Sequence, residues 1–246
     1  MLTTLFLIGM SLIAGILTGI VGMASLTLYP VLISVGVPPI TANATITVAQ
    51  VGAGLGALLS SLKELHNHWK QAIQIAVLNT VGGVLGALHL IHSSNAAFKK
   101  IVPFFILLAG IMILTPKRKS QHRETMILNI LNWIGIFLVG IYNGYFGAAS
   151  GLLMIAILSR VVNEKYATYN AMRNFASFSN NIVAASMFIA TLSIDWAVII
   201  PLLCGLFVGG LIGPAIVRVI PARVIKTAVG VFALVLAVVL GWTSYR

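Results

Sequence analysis

"NGYFGAASG", residues 143–151, sits in the middle of an uncharged run from Met126 to Ser159. A run of that length reads as a membrane helix, because about 20 consecutive apolar residues cross a bilayer core. Yet these nine residues include three glycines, two alanines, a serine and an asparagine. Glycine weakens a helix and frees the backbone to turn, so the stretch is expected to break the helix inside the membrane.

The rest of the chain agrees with a bilayer setting. Of its 246 residues, 59% are hydrophobic and only 8% charged, whereas an ordinary soluble domain is about a quarter charged. The first charge is Lys63, and further uncharged runs cover 71–98, 101–116, 174–194, 196–217 and 227–245. The apolar runs are continuous rather than alternating, which favours helices over a barrel. The expected class is an all-α polytopic membrane protein. The N-terminus lacks a basic n-region, and its apolar stretch far exceeds an h-region, so Met1 is expected to be retained.

A net charge of +11 raises nucleic acid as a partner, but the cations fall in short loops rather than on one aromatic-laced basic surface. No nucleic acid is expected. The single cysteine, Cys204, rules out an intramolecular disulfide framework and a Cys-rich zinc site. It is expected to be a small buried apolar residue.

The break at 143–151 has a partner. "GILTGIVGMAS" (15–25) aligns with "GIYNGYFGAAS" (140–150), matching Gly15, Gly19, Gly22, Ala24 and Ser25 with Gly140, Gly144, Gly147, Ala149 and Ser150. Two residues later in offset, the register continues through Asn43-Ala44 on Asn170-Ala171, Trp69 on Trp196, Gly82-Gly83 on Gly209-Gly210, Gly86 on Gly213 and Lys99 on Lys226. One duplication of this length is the arrangement of transporters built from two related halves. The expected organisation is a first membrane repeat at 1–115, a basic cytoplasmic linker at 116–125 and a second repeat at 126–246. Each repeat holds a glycine-broken helix or re-entrant hairpin plus three spans. In the first these are 42–62, 70–91 and 97–115; in the second, 167–191, 196–217 and 222–241.

Positive charge decides how the halves are oriented, since cytoplasmic loops collect Lys and Arg. If each broken segment crosses once, the halves are parallel and the cations divide seven against seven, with Arg173 left out as lying inside a span. If it turns back, the halves are inverted and the division is eleven against three. Inverted repeats, with a cytoplasmic linker and both termini outside, are therefore expected.

The segments after Gly22 and Gly147 run only about a dozen residues, half the depth of the core. Ser25 and Ser150 would stand near the N-termini of these half-helices, where free N–H groups and the positive dipole end favour an anion. The alternative is that the glycines serve close helix packing, which is the better reading for "GAGLG" (52–56) and "GGLIG" (209–213). On the next span of each half comes a polar motif, "TANAT" (41–45) and "YNAMRN" (169–174). Gly22, Ser25, Asn43, Thr45, Gly147, Ser150, Asn170, Arg173 and Asn174 are the candidate substrate-binding residues. Arg173 is either a ligand contact or a residue snorkelling from the cytoplasmic end. Gln50, Ser177, Asn180 and Asn181 either line the path or hydrogen-bond neighbouring helices.

Other chemistry is sparse. His66 and His68 in a loop, and His89 with His92 at a helix end, lack further metal ligands. Glu64, Glu124, Glu164 and Asp195 fall in loops or at span ends, so the usual carboxylate proton relay is missing, and no P-loop couples the chain to ATP. No nucleophile–base pair suggests an enzyme, and no cofactor or metal is expected. An accessory membrane subunit would need no central polar pair.

The paired "GIVGMAS" and "GYFGAAS" breaks, each followed by an Asn-Ala motif, and the later "DWAVIIPLLCGLFVGGLIG" (195–213) resemble the TauE/SafE-type sulfite exporter family of bacterial permeases. The resemblance covers essentially the whole chain. It implies transport of sulfite, sulfoacetate or related sulfonates across the bacterial inner membrane. The chain reads "GMAS" and "GAAS" where members often have consecutive glycines. The implied partners are a small anion and the lipid bilayer, with a homodimer left open; a carboxylate carrier is the nearest alternative.

Overall fold

Every regular element in the described part of the computed structural model is a helix. The structure describes residues 2–98, 100, 104, 107 and 126–219, together with 227, 231, 234, 235, 238, 239 and 242. The expected linker, and most of the expected spans at 97–115 and 222–241, lie outside the described residues.

In chain order the helices are α1 (Leu2–Val21), α2 (Ala24–Ser34), α3 (Pro39–Ser60), the single turn α4 (Leu62–Leu65), α5 (Trp69–Ile91), α6 (Met126–Tyr145), α7 (Ser150–Val161), α8 (Tyr166–Thr191) and α9 (Trp196–Val217). Their ends follow local chemistry. Proline begins α3, where its missing N–H costs nothing. The Asp195 carboxylate accepts from Ala197 N at 3.2 Å to cap α9. Among the described residues four helices are long and apolar enough to cross a membrane, Thr4–Val21, α3, α5 and α9, and this is a membrane protein. By contrast α2 and α7, of 11 and 12 residues, are about 16–18 Å long, half a crossing.

Helix α5 shows how the sequence sorts its two faces. Ile73, Val77, Val81, Leu85 and Leu88 form an exposed apolar stripe, the natural lipid-facing surface of a bundle whose solvent is hydrocarbon. The opposite face buries Ala72, Ala76, Asn79, Gly82, Gly83 and Gly86, small residues that let helices approach closely. The same logic corrects the expectation for Cys204, which is exposed. It lies on the outer side of α9 with Ile200, Leu203 and Val208, because in lipid an apolar run need not be core.

Packing crosses between the halves. Helix α1 lies chiefly against α9, and α5 against α6. A methyl group on Gly15 would stand 2.6 Å from Leu206 O, and one on Gly19 2.9 Å from Gly213 Cα. With Ser11 donating to Pro201 O at 3.2 Å, the contacts advance together, so α1 and α9 run in the same direction. In α5 and α6, Asn79 Nδ2 donates to Ile136 O at 3.4 Å, and Gly86 abuts Ile141 and Tyr145; these two also run together. Gly52, Gly56, Gly209 and Gly210 sit against neighbouring helices, so "GAGLG" and "GGLIG" are packing positions.

Polar contacts mark the two ends of the bundle. At one, α3 and α9 begin side by side, with Asp195 N donating to Thr45 Oγ1 at 3.0 Å. At the other, both helices finish, and Arg218 donates to Glu64 at 2.8 Å and to Ser60 O at 2.5 Å. There α5 and α8 begin, with His68 Nε2 3.9 Å from Glu164 Oε1.

Candidate functional site

Both expected breaks are present, and they meet. Gly22 (φ +75°) separates α1 from α2, and Gly147 (φ +71°) separates α6 from α7. Both angles are left-handed, the region where glycine ends a helix without strain. Gly22 N closes the last turn of α1 on Thr18 O at 2.9 Å, as Gly147 N does for α6 on Tyr142 O at 3.0 Å. A methyl group on Gly22 would lie 2.8 Å from Gly151 Cα. The hinge of the first half therefore rests on the first turn of α7 in the second.

Arg173, near the start of α8, is completely buried, so it does not snorkel. Its Nη1 donates to Thr18 O at 2.8 Å and its Nη2 to Asn170 Oδ1 at 2.6 Å, with a longer contact to Gly19 O at 3.5 Å. Thr18 and Gly19 belong to the last turn of α1, whose carbonyls carry the negative end of the dipole; Thr18 O accepts from Gly22 N as well as from Arg173. The cation thus neutralises a broken helix end rather than a carboxylate.

The two corresponding asparagines share this task. Asn170 Nδ2 donates to Gly19 O at 3.0 Å, and Asn43 Nδ2 donates to Tyr145 O at 3.0 Å. Each fastens the broken helix of the opposite half. Around the second break, Ser150 Oγ donates to Asn143 Oδ1 at 2.6 Å, while in the first Gln50 Nε2 donates to Ser25 Oγ at 2.9 Å. Neither half-helix has a side-chain cap at its N-terminus.

A narrow cleft opens between the halves at this junction. Of the candidate residues, Gly22, Ser150, Arg173 and Asn174 line it. Ser25 stands one hydrogen bond behind, through the cleft residue Gln50. Asn43, Asn170 and Gly147 hold the walls, and Thr45 is engaged by Asp195 N at an end of the bundle. Ser177 and Asn181 also line the cleft, whereas Asn180 bonds Asn79 O and ties α8 to α5. Thr18, Asn143, Gly54, Ala57 and Phe178 complete the lining among the described residues. The polar pair Thr18 and Asn143 occupies matching positions in the two breaks, the one signal that pointed to them.

Among the described residues, no Asp, Glu, His or Cys lines the cleft, and Arg173 is its only charged lining residue. Among the described residues no three His, Cys, Asp or Glu side chains gather in a metal-binding group. The free space is about 10 Å³, room for about one water.

Apolar helices, a hinge of one half resting on the half-helix of the other, and a buried cation lining the cleft between them are the features of a membrane transporter. The chain belongs to the sulfite exporter TauE/SafE family, whose model matches residues 7–240. It is similar to a probable membrane transporter protein of Haemophilus influenzae, with 27% identity over 88% of this chain and 85% of the relative. A probable membrane transporter protein of a Sinorhizobium species is 23% identical over 95% and 90% of the two chains. In Escherichia coli K12, the probable membrane transporter protein YfcA is 24% identical over 100% and 91%. No solved structure matches the chain.

Proposed function

We propose that the chain is a permease that carries a small sulfur oxyanion, sulfite or a sulfonate, across the bacterial inner membrane as a multi-pass protein. It works by alternating access between two inverted repeats, 1–115 and 126–246, joined by a cytoplasmic linker at 116–125. Its task is transport rather than catalysis. The observation that carries this reading is the junction itself, where the hinge of the first half rests on the first turn of α7 beside a buried guanidinium and, among the described residues, no carboxylate.

Inversion is supported by where helices begin. Helix α3 starts at the end of the bundle opposite to that of its sequence counterpart α8, as the Thr45–Asp195 and His68–Glu164 contacts indicate. The narrow cleft suits a closed state, and passage requires the halves to part there. Expelling one negative charge from an inside-negative cell gains roughly 2.3 kcal/mol per 100 mV, so export needs no proton relay.

The test is sulfite flux in liposomes. Arg173→Ala should lower flux sharply while the protein still elutes as a folded species, and Arg173→Lys should recover part of it. Unchanged flux in the alanine variant would remove Arg173 from the site.

A further inference from the structure

We infer that the cleft selects a singly protonated oxyanion, one negative charge with one O–H, over a dianion and over an aprotic sulfonate. This rests on the anion-carrier reading above and sharpens its substrate class. Three cleft residues each keep one buried polar atom without a partner: Arg173 Nε, Asn143 Nδ2 and Asn174 Oδ1. Arg173 is fully buried and Asn174 is 2% exposed, so bulk water does not serve these atoms.

Their other ends are committed, and this fixes what each offers. The remaining Arg173 nitrogens hold Thr18 O and Asn170 Oδ1. Asn143 Oδ1 takes the Ser150 hydroxyl proton, which leaves its amide nitrogen as the free end. Asn174 Nδ2 donates to Gly19 O at 3.4 Å, which leaves its oxygen. The residues lining the cleft therefore keep two uncommitted donors, one of them on a cation, and one uncommitted acceptor, all three buried in this closed arrangement and available to a ligand once the halves part.

An oxyanion gives two oxygens to the donors. The third oxygen meets Asn174 Oδ1, and two acceptors face each other unless that oxygen carries a proton. Charge leads to the same choice. One guanidinium balances one negative charge, and among the described residues no second cation lines the cleft, so a dianion would leave a buried charge unpaired.

The protein itself has little to titrate here. The titratable groups on the surrounding helices are Tyr29 on α2, His89 on α5 against the Tyr145 ring, Tyr142 and Tyr145 on α6, Arg160 near the end of α7, and Tyr166 and Tyr169 on α8. Tyr142 and Tyr166 donate to Ala148 O and Ile20 O. The pH dependence of binding should come from the ligand.

Calorimetric binding to the full chain in detergent tests this, with sulfite titrated at a series of pH values spanning its second ionisation and methanesulfonate as the aprotic monoanion. Sulfite affinity should fall about tenfold per pH unit above that ionisation. Below it, sulfite should bind about tenfold tighter than methanesulfonate, whose affinity should not change with pH. Asn174→Ala should bring sulfite down to the methanesulfonate level and leave methanesulfonate unaffected; a purely structural Asn174 would weaken both alike. Sulfite affinity that is flat or rises with pH overturns the inference and leaves the anion-carrier reading standing. Binding of neither anion at any pH overturns both.

Discussion

Gly22→Ala should damage the protein far more than Gly36→Ala, although both glycines have positive φ, +75° and +91°. Placing a side chain in the left-handed region costs about 1–2 kcal/mol, and both variants bear this. At Gly36 the new methyl meets nothing within 4 Å, so the cost ends there. At Gly22 it would lie 2.8 Å from Gly151 Cα and 2.8 Å from Arg173 Nη1. Gly151 Cα is backbone in the first turn of a helix and cannot rotate away, and overpacking of this kind adds about 1–3 kcal/mol. The expected total for Gly22→Ala is about 2–5 kcal/mol, with the guanidinium displaced as well. Thermal unfolding of the detergent-purified variants would rank them, and sulfite flux in liposomes would report the displaced guanidinium. Equal midpoints for Gly22→Ala and Gly36→Ala would refute the contact between the two hinges, since backbone strain alone would then account for both.

Ala149 is left-handed at φ +58° without being glycine, so Ala149→Gly should raise the unfolding free energy by about 1 kcal/mol and the unfolding midpoint with it; a lower midpoint would count against that conformation. Burial pushes the Glu64 carboxyl up, but the hydrogen bond and charge of Arg218 outweigh it and hold Glu64 below its usual value. A lowered folded value means the pair stabilises above Glu64's unfolded value and loses its contribution as pH falls through the folded value. Because the pair is partly exposed, Glu64→Gln should cost under about 1 kcal/mol at neutral pH, and less in high salt; a loss that grows with salt would exclude this account. A C-terminal reporter that fluoresces only in the cytoplasm should stay dark, and a bright signal would reverse the proposed orientation.

The long helices were legible because charge ends them. The expected spans at 42–62, 70–91, 167–191 and 196–217 correspond to Pro39–Ser60, Trp69–Ile91, Tyr166–Thr191 and Trp196–Val217, differing by at most a turn. The breaks were legible too, since repetition singled out Gly22 and Gly147 among 23 glycines. What the side chains at the junction do was less so. Asn43 and Asn170 are polar residues in apolar spans, and sequence alone makes them candidate ligands. The structure places them on the carbonyls of Tyr145 and Gly19, in the opposite half. Alignment pairs positions within the repeat; it carries no information on which carbonyl of the other copy lies within reach. For the same reason Thr45 reads as part of a polar motif, whereas its partner is Asp195 N.

The duplication supplies two matching hinges, but only one of them carries a charge. The position matching Arg173 in the first half is Ile46, which is fully buried. The end of α1 is therefore held by a guanidinium and the amides of Asn170 and Asn174, and the end of α6 by the amide of Asn43. An arginine in both copies would crowd two cations into a low-dielectric junction where the hinges touch, and no carboxylate lines the cleft to separate them. Divergence at this pair leaves matching hinges with one guanidinium among the described lining residues, which supports the proposed carriage of one negative charge. Thr18 and Asn143 diverge in the same sense: the Thr18 hydroxyl turns back to Ala14 O at 2.7 Å, while Asn143 keeps a donor at the cleft. In the proposed carrier, the matching hinges would let the halves move against each other, and their difference at Arg173 and Ile46 would set the charge they hold.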